Sequence, residues 1–281
     1  MAKRNLSTAD DRNLAQSQRR LRLSFLYAVP IGMLGGLIGL GGAEFRLPVI
    51  AGILGYPVRQ AVPLNLAVSL ITILASLLIR STTLSLDSLL PLLPVILSLI
   101  LGAIFTAFWG AVLASRLSNE QLEKAILVLL VLVGVALIVE SFLPQTIPAL
   151  IPPSFFWRIP AGIGFGLAIG MVSSLLGVAG GEIIIPTLVF AFGADIKTAG
   201  TASLLISLPT VTVGLIKYAS RGAFCDRKPL RNTVAPMGFG SVIGAFMGGC
   251  LVGIVPSYVL KLFLGIILNI SAFRVFHHQK T

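Results

Sequence analysis

Apolar residues in this chain collect into runs, in an order that occurs twice. A run over 23–40 is followed by a short one over 45–54 and then by 61–79, 89–114 and 122–143. The series restarts with 155–178, a short 183–192, then 199–219, 233–255 and 258–276. Runs of about 20 apolar residues are long enough to cross a bilayer as helices. The alternating short strands of a membrane β-barrel are absent from the sequence. The pattern predicts an all-α polytopic membrane protein.

The two series are related residue by residue. At an offset of 138 positions, Gly39-Leu-Gly-Gly-Ala-Glu-Phe-Arg-Leu-Pro48 aligns without a gap on Gly177-Val-Ala-Gly-Gly-Glu-Ile-Ile-Ile-Pro186, bringing Gly42/Gly180, Glu44/Glu182 and Pro48/Pro186 into register. Gly55, Ala61, Leu66, Ser69 and Thr72 match Gly193, Ala199, Leu204, Ser207 and Thr210, and Gly102 and Gly110 match Gly240 and Gly248. The chain divides into a basic segment over 1–22, a first membrane repeat over 23–143, a proline-rich linker over 144–154 and a second repeat over 155–281.

Topology depends on the short runs. If they cross, each repeat has an odd number of crossings and the repeats are inverted; if they dip in and out, the repeats are parallel. The inverted version puts the uncharged linker outside and Arg116 and Lys124 inside, as the positive-inside rule prefers. The expectation is therefore two homologous repeats, inverted as five-plus-five helices with a short half-helix in each. Both termini are then cytoplasmic.

Composition agrees with a membrane protein. The 281 residues are 56% hydrophobic and 11% charged, with mean hydropathy +0.98, against about a quarter charged residues in a soluble domain. The net charge of +11 does not indicate nucleic-acid binding. It gathers in 3–22, 217–231 and the C-terminus, where cytoplasmic loops carry it, and no basic-aromatic module accompanies it. Arg19 and Arg20 are similar to a twin-arginine signal, but the apolar run behind them is long, broken by Pro30, and lacks a cleavage site, so it reads as an uncleaved first helix. Cys225 and Cys250 have no metal or redox spacing, and His277 and His278 sit in the tail. With no zinc motif, phosphate-binding loop or Walker lysine, no catalytic residue, metal or cofactor is expected.

The glycine runs hold the candidate chemistry. Glycine weakens a helix and Glu is costly in hydrocarbon, so two such breaks at matched places point to a transporter's binding site. A helix of about ten residues covers about half the hydrocarbon. The starts of the short helices, at Gly41, Gly42, Ala43 and at Gly180, Gly181, then lie inside the protein, where free N–H groups can hold an anion. Arg46, matched by Ile184, breaks the symmetry; it meets the substrate, pairs with Glu44 or serves as a structural ion pair. Asn65 and Ser69 are matched by Ser203 and Ser207, and Thr201 stands opposite Pro63. All five are candidate substrate contacts, Asn65 and Ser203 foremost, unless they bond only to backbone. Glu44 and Glu182 are read as caps of their own half-helices, as proton carriers in a low-dielectric surround, or as both. The ladders Gly162/Gly166/Gly170 and Gly240/Gly244/Gly248 have small-xxx-small spacing, which suits helix packing, with a homodimer seam as a second use.

The duplicated Gly-x-Gly-Gly-x-Glu…Pro and Gly-x-x-Gly-Gly-Glu…Pro runs, each followed by a short helix and Ala-x-x-x-Ser/Asn-Leu, resemble the TauE/SafE sulfite exporter family over 23–276. The resemblance implies a two-repeat permease of the bacterial inner membrane, carrying a small sulfur-containing or organic anion such as sulfite, sulfoacetate or a related sulfonate, commonly outward. Arg46, and Ala179 at the place of Gly41, depart from the shared pattern. The leading expectation is a secondary transporter of a small anion, proton-coupled through Glu44 and Glu182, whose partners are the substrate and the lipid bilayer. A channel-like or divalent-cation permease using the two glutamates is the alternative, although no apolar run adds the His or Asp usual in cation carriers. A membrane-embedded enzyme would need a nucleophile–base pair, which is not found.

Overall fold

Glycine, proline and capping side chains set where the helices begin and end. A computed structural model describes residues 2–83, 86–114, 116–142, 149–252, 254–256, 258–259, 262, 265–266 and 269. Linker residues 144–148 and the tail with His277 and His278 lie outside the described residues, and the expected last span over 258–276 is described only at scattered positions. Helix α1 (Ala2–Ile38) stops at Gly39, whose φ of +90° an L side chain rarely adopts. The basic segment is therefore the start of the same helix that crosses, with its candidate span beginning at Ser17. Helix α2 (Ala43–Pro48) passes at Pro48 into a π-type turn over Val49–Ile53. Proline has no N–H for the carbonyl one turn back and its ring crowds that carbonyl; the wider turn accommodates both.

Then come α3 (Val58–Thr83), a 3-10 turn over Leu86–Leu92, α4 (Leu93–Ala114) and α5 (Asn119–Phe142). A reciprocal pair opens α5, with Ser118 N–H on Gln121 Oε1 at 3.0 Å and Gln121 N–H on Ser118 Oγ at 3.1 Å. The second half repeats the series with α6 (Phe155–Leu176), α7 (Gly181–Pro186) running into a π-type turn over Thr187–Ala191, and α8 (Ile196–Ser220). Asp195 caps α8 by accepting from the N–H groups of Lys197 and Thr198. A π-type turn over Leu230–Val234 leads into α9 (Ala235–Leu251). Among the described residues six helices have the length and apolarity to cross a membrane, and there is no strand. Large apolar side chains such as Leu26, Leu78, Leu101, Phe105 and Phe246 point outward, a surface suited to lipid rather than water. The protein is an all-α polytopic membrane protein.

Each half packs mainly on the other. Helix α1 lies along α9 and α6 along α4, while α3 meets α9, α4 meets α8, and α3 meets α8. Under the correspondence α1/α6, α3/α8, α4/α9, each of these pairs maps onto another pair or onto itself. Glycine makes the long seams possible. A Cβ on Gly166 would collide with Leu99 O and one on Gly170 with Ala103 O; on α9, Gly244 would collide with Val29 O and Gly248 with Met33 O. Both glycine ladders are thus occupied by seams within one chain, which is their reading as helix-packing stripes. Helices α1 and α9 run parallel, since Gly240 abuts Phe25 and Gly248 abuts Met33. The equivalent helices α3 and α8 run antiparallel: Arg80 near the end of α3 reaches Lys197 and Thr201 at the start of α8, and Leu66 near the start of α3 lies by Gly214.

The seams yield a prediction with an internal control. Gly166→Ala and Gly244→Ala force backbone apart and should each cost about 1–3 kcal/mol, read as a lower midpoint of thermal unfolding in detergent. Gly164→Ala, with nothing within 4 Å of the new methyl, should hold the midpoint or raise it, since Ala favours the helix over Gly. Equal behaviour of all three would contradict the seam.

Candidate transport site where the two helix breaks meet

The glycine breaks of the two halves touch. A Cβ on Gly41 would lie 3.3 Å from the Cβ of Ala179, its counterpart in the other repeat, and one on Gly181 would lie 3.0 Å from Leu40 Cα. Gly39 abuts Gly200 of α8, and Gly177 abuts Val62 of α3, which is the counterpart of Gly200. Each break is thus clamped by the long helix of the opposite half. A broken helix leaves carbonyls without partners, and here the donors come from across. Asn65 Nδ2 donates to Gly177 O at 2.7 Å, and Ser203 Oγ donates to Gly39 O at 2.6 Å. These two donors occupy matched positions.

Arg46 is wholly buried and surrounded by neutral acceptors. Its Nη2 donates to Gly41 O at 2.9 Å and Ser69 Oγ at 2.8 Å, Nη1 to Thr72 Oγ1 at 3.0 Å, and Nε to Asn65 Oδ1 at 3.4 Å. Asn65 also donates to Ala43 O at 2.7 Å, so its amide links the guanidinium, the start of α2 and the break of the other half. The second half has no such cation. Ile184 is buried where Arg46 would stand, Ser207 Oγ has no hydrogen-bond partner, and Thr210 Oγ1 donates back to Ile206 O at 2.8 Å.

Glu44 and Glu182 are 1% and 3% exposed, and none of their four carboxyl oxygens has a hydrogen-bond partner. Glu44 and Arg46 stand two residues apart on α2, and Glu182 holds the matched place on α7. The capping positions belong to Gly42 and Gly180, both with positive φ and no side-chain cap. Neither the helix-capping bond nor a hydrogen-bonded pair of Glu44 with Arg46 is present. The arrangement is two desolvated carboxyls beside one desolvated guanidinium.

The model of the family described as Sulfite exporter TauE/SafE matches residues 1–137 and 162–281 of this chain. The chain belongs to the TauE/SafE family. It is also 23% identical over 235 residues, covering 82% of this chain and 90% of the relative, to the "Probable membrane transporter protein YdhB" of Bacillus subtilis (strain 168). No solved structure matches it. This TauE/SafE protein is a membrane transporter and not an enzyme.

Within this TauE/SafE chain, Gly41, Ala43, Arg46, Asn65 and Ser69 form one connected group with Thr72, and Gly42 begins α2 beside it. Gly181 and Ser203 meet the break of the first half, while Gly180 packs on Ile169, Ser173 and Ile184 of its own half. Ser207 follows Ser203 by one helical turn. Thr201 stands apart, bonded to Arg80 rather than to the Arg46 group. The sequence reading passed over Arg80 and Tyr218, which occupy matched positions. Arg80 donates to Gly36 O at 3.1 Å and Leu37 O at 2.8 Å, closing the end of α1, and Tyr218 OH donates to Ser174 O at 3.0 Å, the counterpart of Gly36 on α6. The repeat offset was the available signal, hidden because Arg and Tyr are different residue types doing one job.

Removing the crossed donors should loosen the centre unequally. Asn65→Ala leaves Ala43 O, Gly177 O and Arg46 Nε short of partners, and Ser203→Ala leaves only Gly39 O. At about 0.5–2 kcal/mol per bond, the Asn65 variant should unfold at a clearly lower denaturant concentration than the Ser203 variant. An equal or reversed order would contradict the geometry.

Proposed function

We propose that this transporter moves a small anion, such as sulfite or an organosulfonate, outward across the bacterial inner membrane by alternating access around the touching breaks. The observation that carries the reading is Arg46. Its buried guanidinium rests on a carbonyl, an amide oxygen and two hydroxyls, neutral groups that a bound anion can replace at a gain in charge-assisted hydrogen bonding. Opening of the breaks toward one side gives the anion access to the guanidinium, and opening toward the other lets it leave. Glu44 and Glu182 carry the coupling proton, because an ionised carboxyl beside an anion repels it and a protonated one does not.

The antiparallel run of α3 and α8 supports inverted repeats, as alternating access by exchange of equivalent halves requires. One end of the bundle gathers Ser17, Arg20, Tyr56, Asn232 and Thr233 through direct contacts, and its neighbouring segments bear Arg19, Arg22, Lys217, Arg221, Arg227, Lys228 and Arg231. By the positive-inside rule this end faces the cytoplasm. A divalent-cation permease is disfavoured by the same Arg46, whose charge within reach of Glu44 opposes a metal ion there.

Arg46→Gln keeps a hydrogen-bonding side chain and removes the charge. It should weaken binding of sulfite to the purified protein by about a hundredfold, the cost of a lost charge-assisted contact of about 3 kcal/mol, while the amount of folded protein in the membrane holds. Unchanged sulfite affinity, or affinity gained for divalent cations with none for anions in the parent protein, would sink the proposal.

A further inference from the structure

Among the described residues the fully buried charged side chains are Glu44, Glu182, Arg46 and Arg80. Arg80 lies at the C-terminal end of α1, just before the break at Gly39, where its charge is offset by the carbonyls of Gly36 and Leu37 and by the negative end of the helix dipole. Glu44, Glu182 and Arg46 remain as the charge group at the starts of α2 and α7, where the two breaks touch. The other titratable groups of the surrounding helices are Tyr27, part-way along α1, with Lys3, Asp10, Asp11 and the arginines before it, Arg59 on α3, Glu120, Lys124 and Glu140 on α5, Arg158 on α6, Lys197, Lys217 and Tyr218 on α8, and Cys250 on α9; α4 has none.

Net charge in a low-dielectric interior costs several kcal/mol at least. The centre can change its access from one side to the other most readily when its charges, substrate included, sum to zero. Empty, two carboxyls and one guanidinium reach zero with one proton bound. Holding a monovalent anion, they reach zero with two. A dianion leaves a negative remainder even with both carboxyls protonated.

We infer that the protein carries monovalent anions together with one proton each, in an electroneutral cycle, and rejects dianions. Sulfite would then travel as hydrogensulfite. The proton passes from water on the loading side to a carboxylate oxygen of Glu44 or Glu182 as the anion binds, and returns to water on the other side as the anion leaves. The inference rests on the anion reading above and adds the charge of the substrate and the coupling ratio.

The test uses the full chain in proteoliposomes, with methanesulfonate as the monovalent probe, sulfate as the divalent one, and valinomycin with potassium to set the potential. One proton per anion sustains about a tenfold methanesulfonate accumulation for each pH unit of gradient. The potential should leave that accumulation unchanged, and sulfate should neither enter nor compete. The Glu44→Gln/Glu182→Gln double variant fixes the centre at the charge of Arg46, so its methanesulfonate flux should lose the response to the pH gradient and follow the potential. If that variant does not fold, the parent protein decides alone. Methanesulfonate transport that follows the potential, or sulfate carried at a comparable rate, overturns the inference and leaves the anion reading standing. If methanesulfonate, hydrogensulfite and sulfate all fail to bind or move, both fall together.

Discussion

A helix interrupted inside a membrane must find partners for the backbone groups that the interruption frees, because no water is there to take them. Everything at the centre of this protein follows from how that requirement is met. Gly39 and Gly177 end two helices at the same depth of the fold, and the carbonyl of each is taken by a side chain of the other half, Ser203 and Asn65. Neither repeat can complete its own break. The glycine seams of α1 with α9 and α4 with α6 apply the same exchange over a longer distance.

Against this near-symmetry one substitution stands out. Arg46 in the first repeat and Ile184 in the second occupy the same place, and they differ by a full charge. In the first half Ser69, Thr72 and Asn65 are all engaged by the guanidinium, and in the second Ser207 is left without a partner. The scaffold is shared and the chemistry is not. Under the proposed function, the near-symmetric frame supplies the two ways of opening and the single cation the place where the anion is held.

Much of this was legible in the sequence, because hydrophobic run length and a gapless internal repeat report directly on spans and their correspondence. The short helix expected over 45–54 is present as α2 and the π-type turn after it, and Asn65 and Ser203 stood out because they are polar at matched places in apolar sequence. Their partners did not. No residue pattern states that Asn65 reaches the carbonyl of a glycine 112 residues away, since side-chain reach across halves depends on how helices cross. The carboxyls also differed from one expected role. A Glu in the first helical turn is favoured there by the free N–H groups, yet the positive φ of Gly42 and Gly180 sets the entry of α2 and α7 and both carboxyls stay without hydrogen bonds. Arg80 escaped notice because its counterpart is Tyr218, and identity searching is blind to two residue types that satisfy the same carbonyl.

The central claim is that the two breaks touch, and a cross-link tests it most directly. With Cys225 and Cys250 replaced by serine, cysteines are placed at Ala179 and at Gly41, where a φ of +78° strains the new side chain and makes a folding check part of the test; the Cβ positions are 3.3 Å apart, close to the spacing a disulfide needs. Mild oxidation in membranes should join the two peptides within one chain, seen by mass spectrometry after digestion. Two free thiols in a protein that still folds and transports, or a bond formed only between separate chains, would contradict the account.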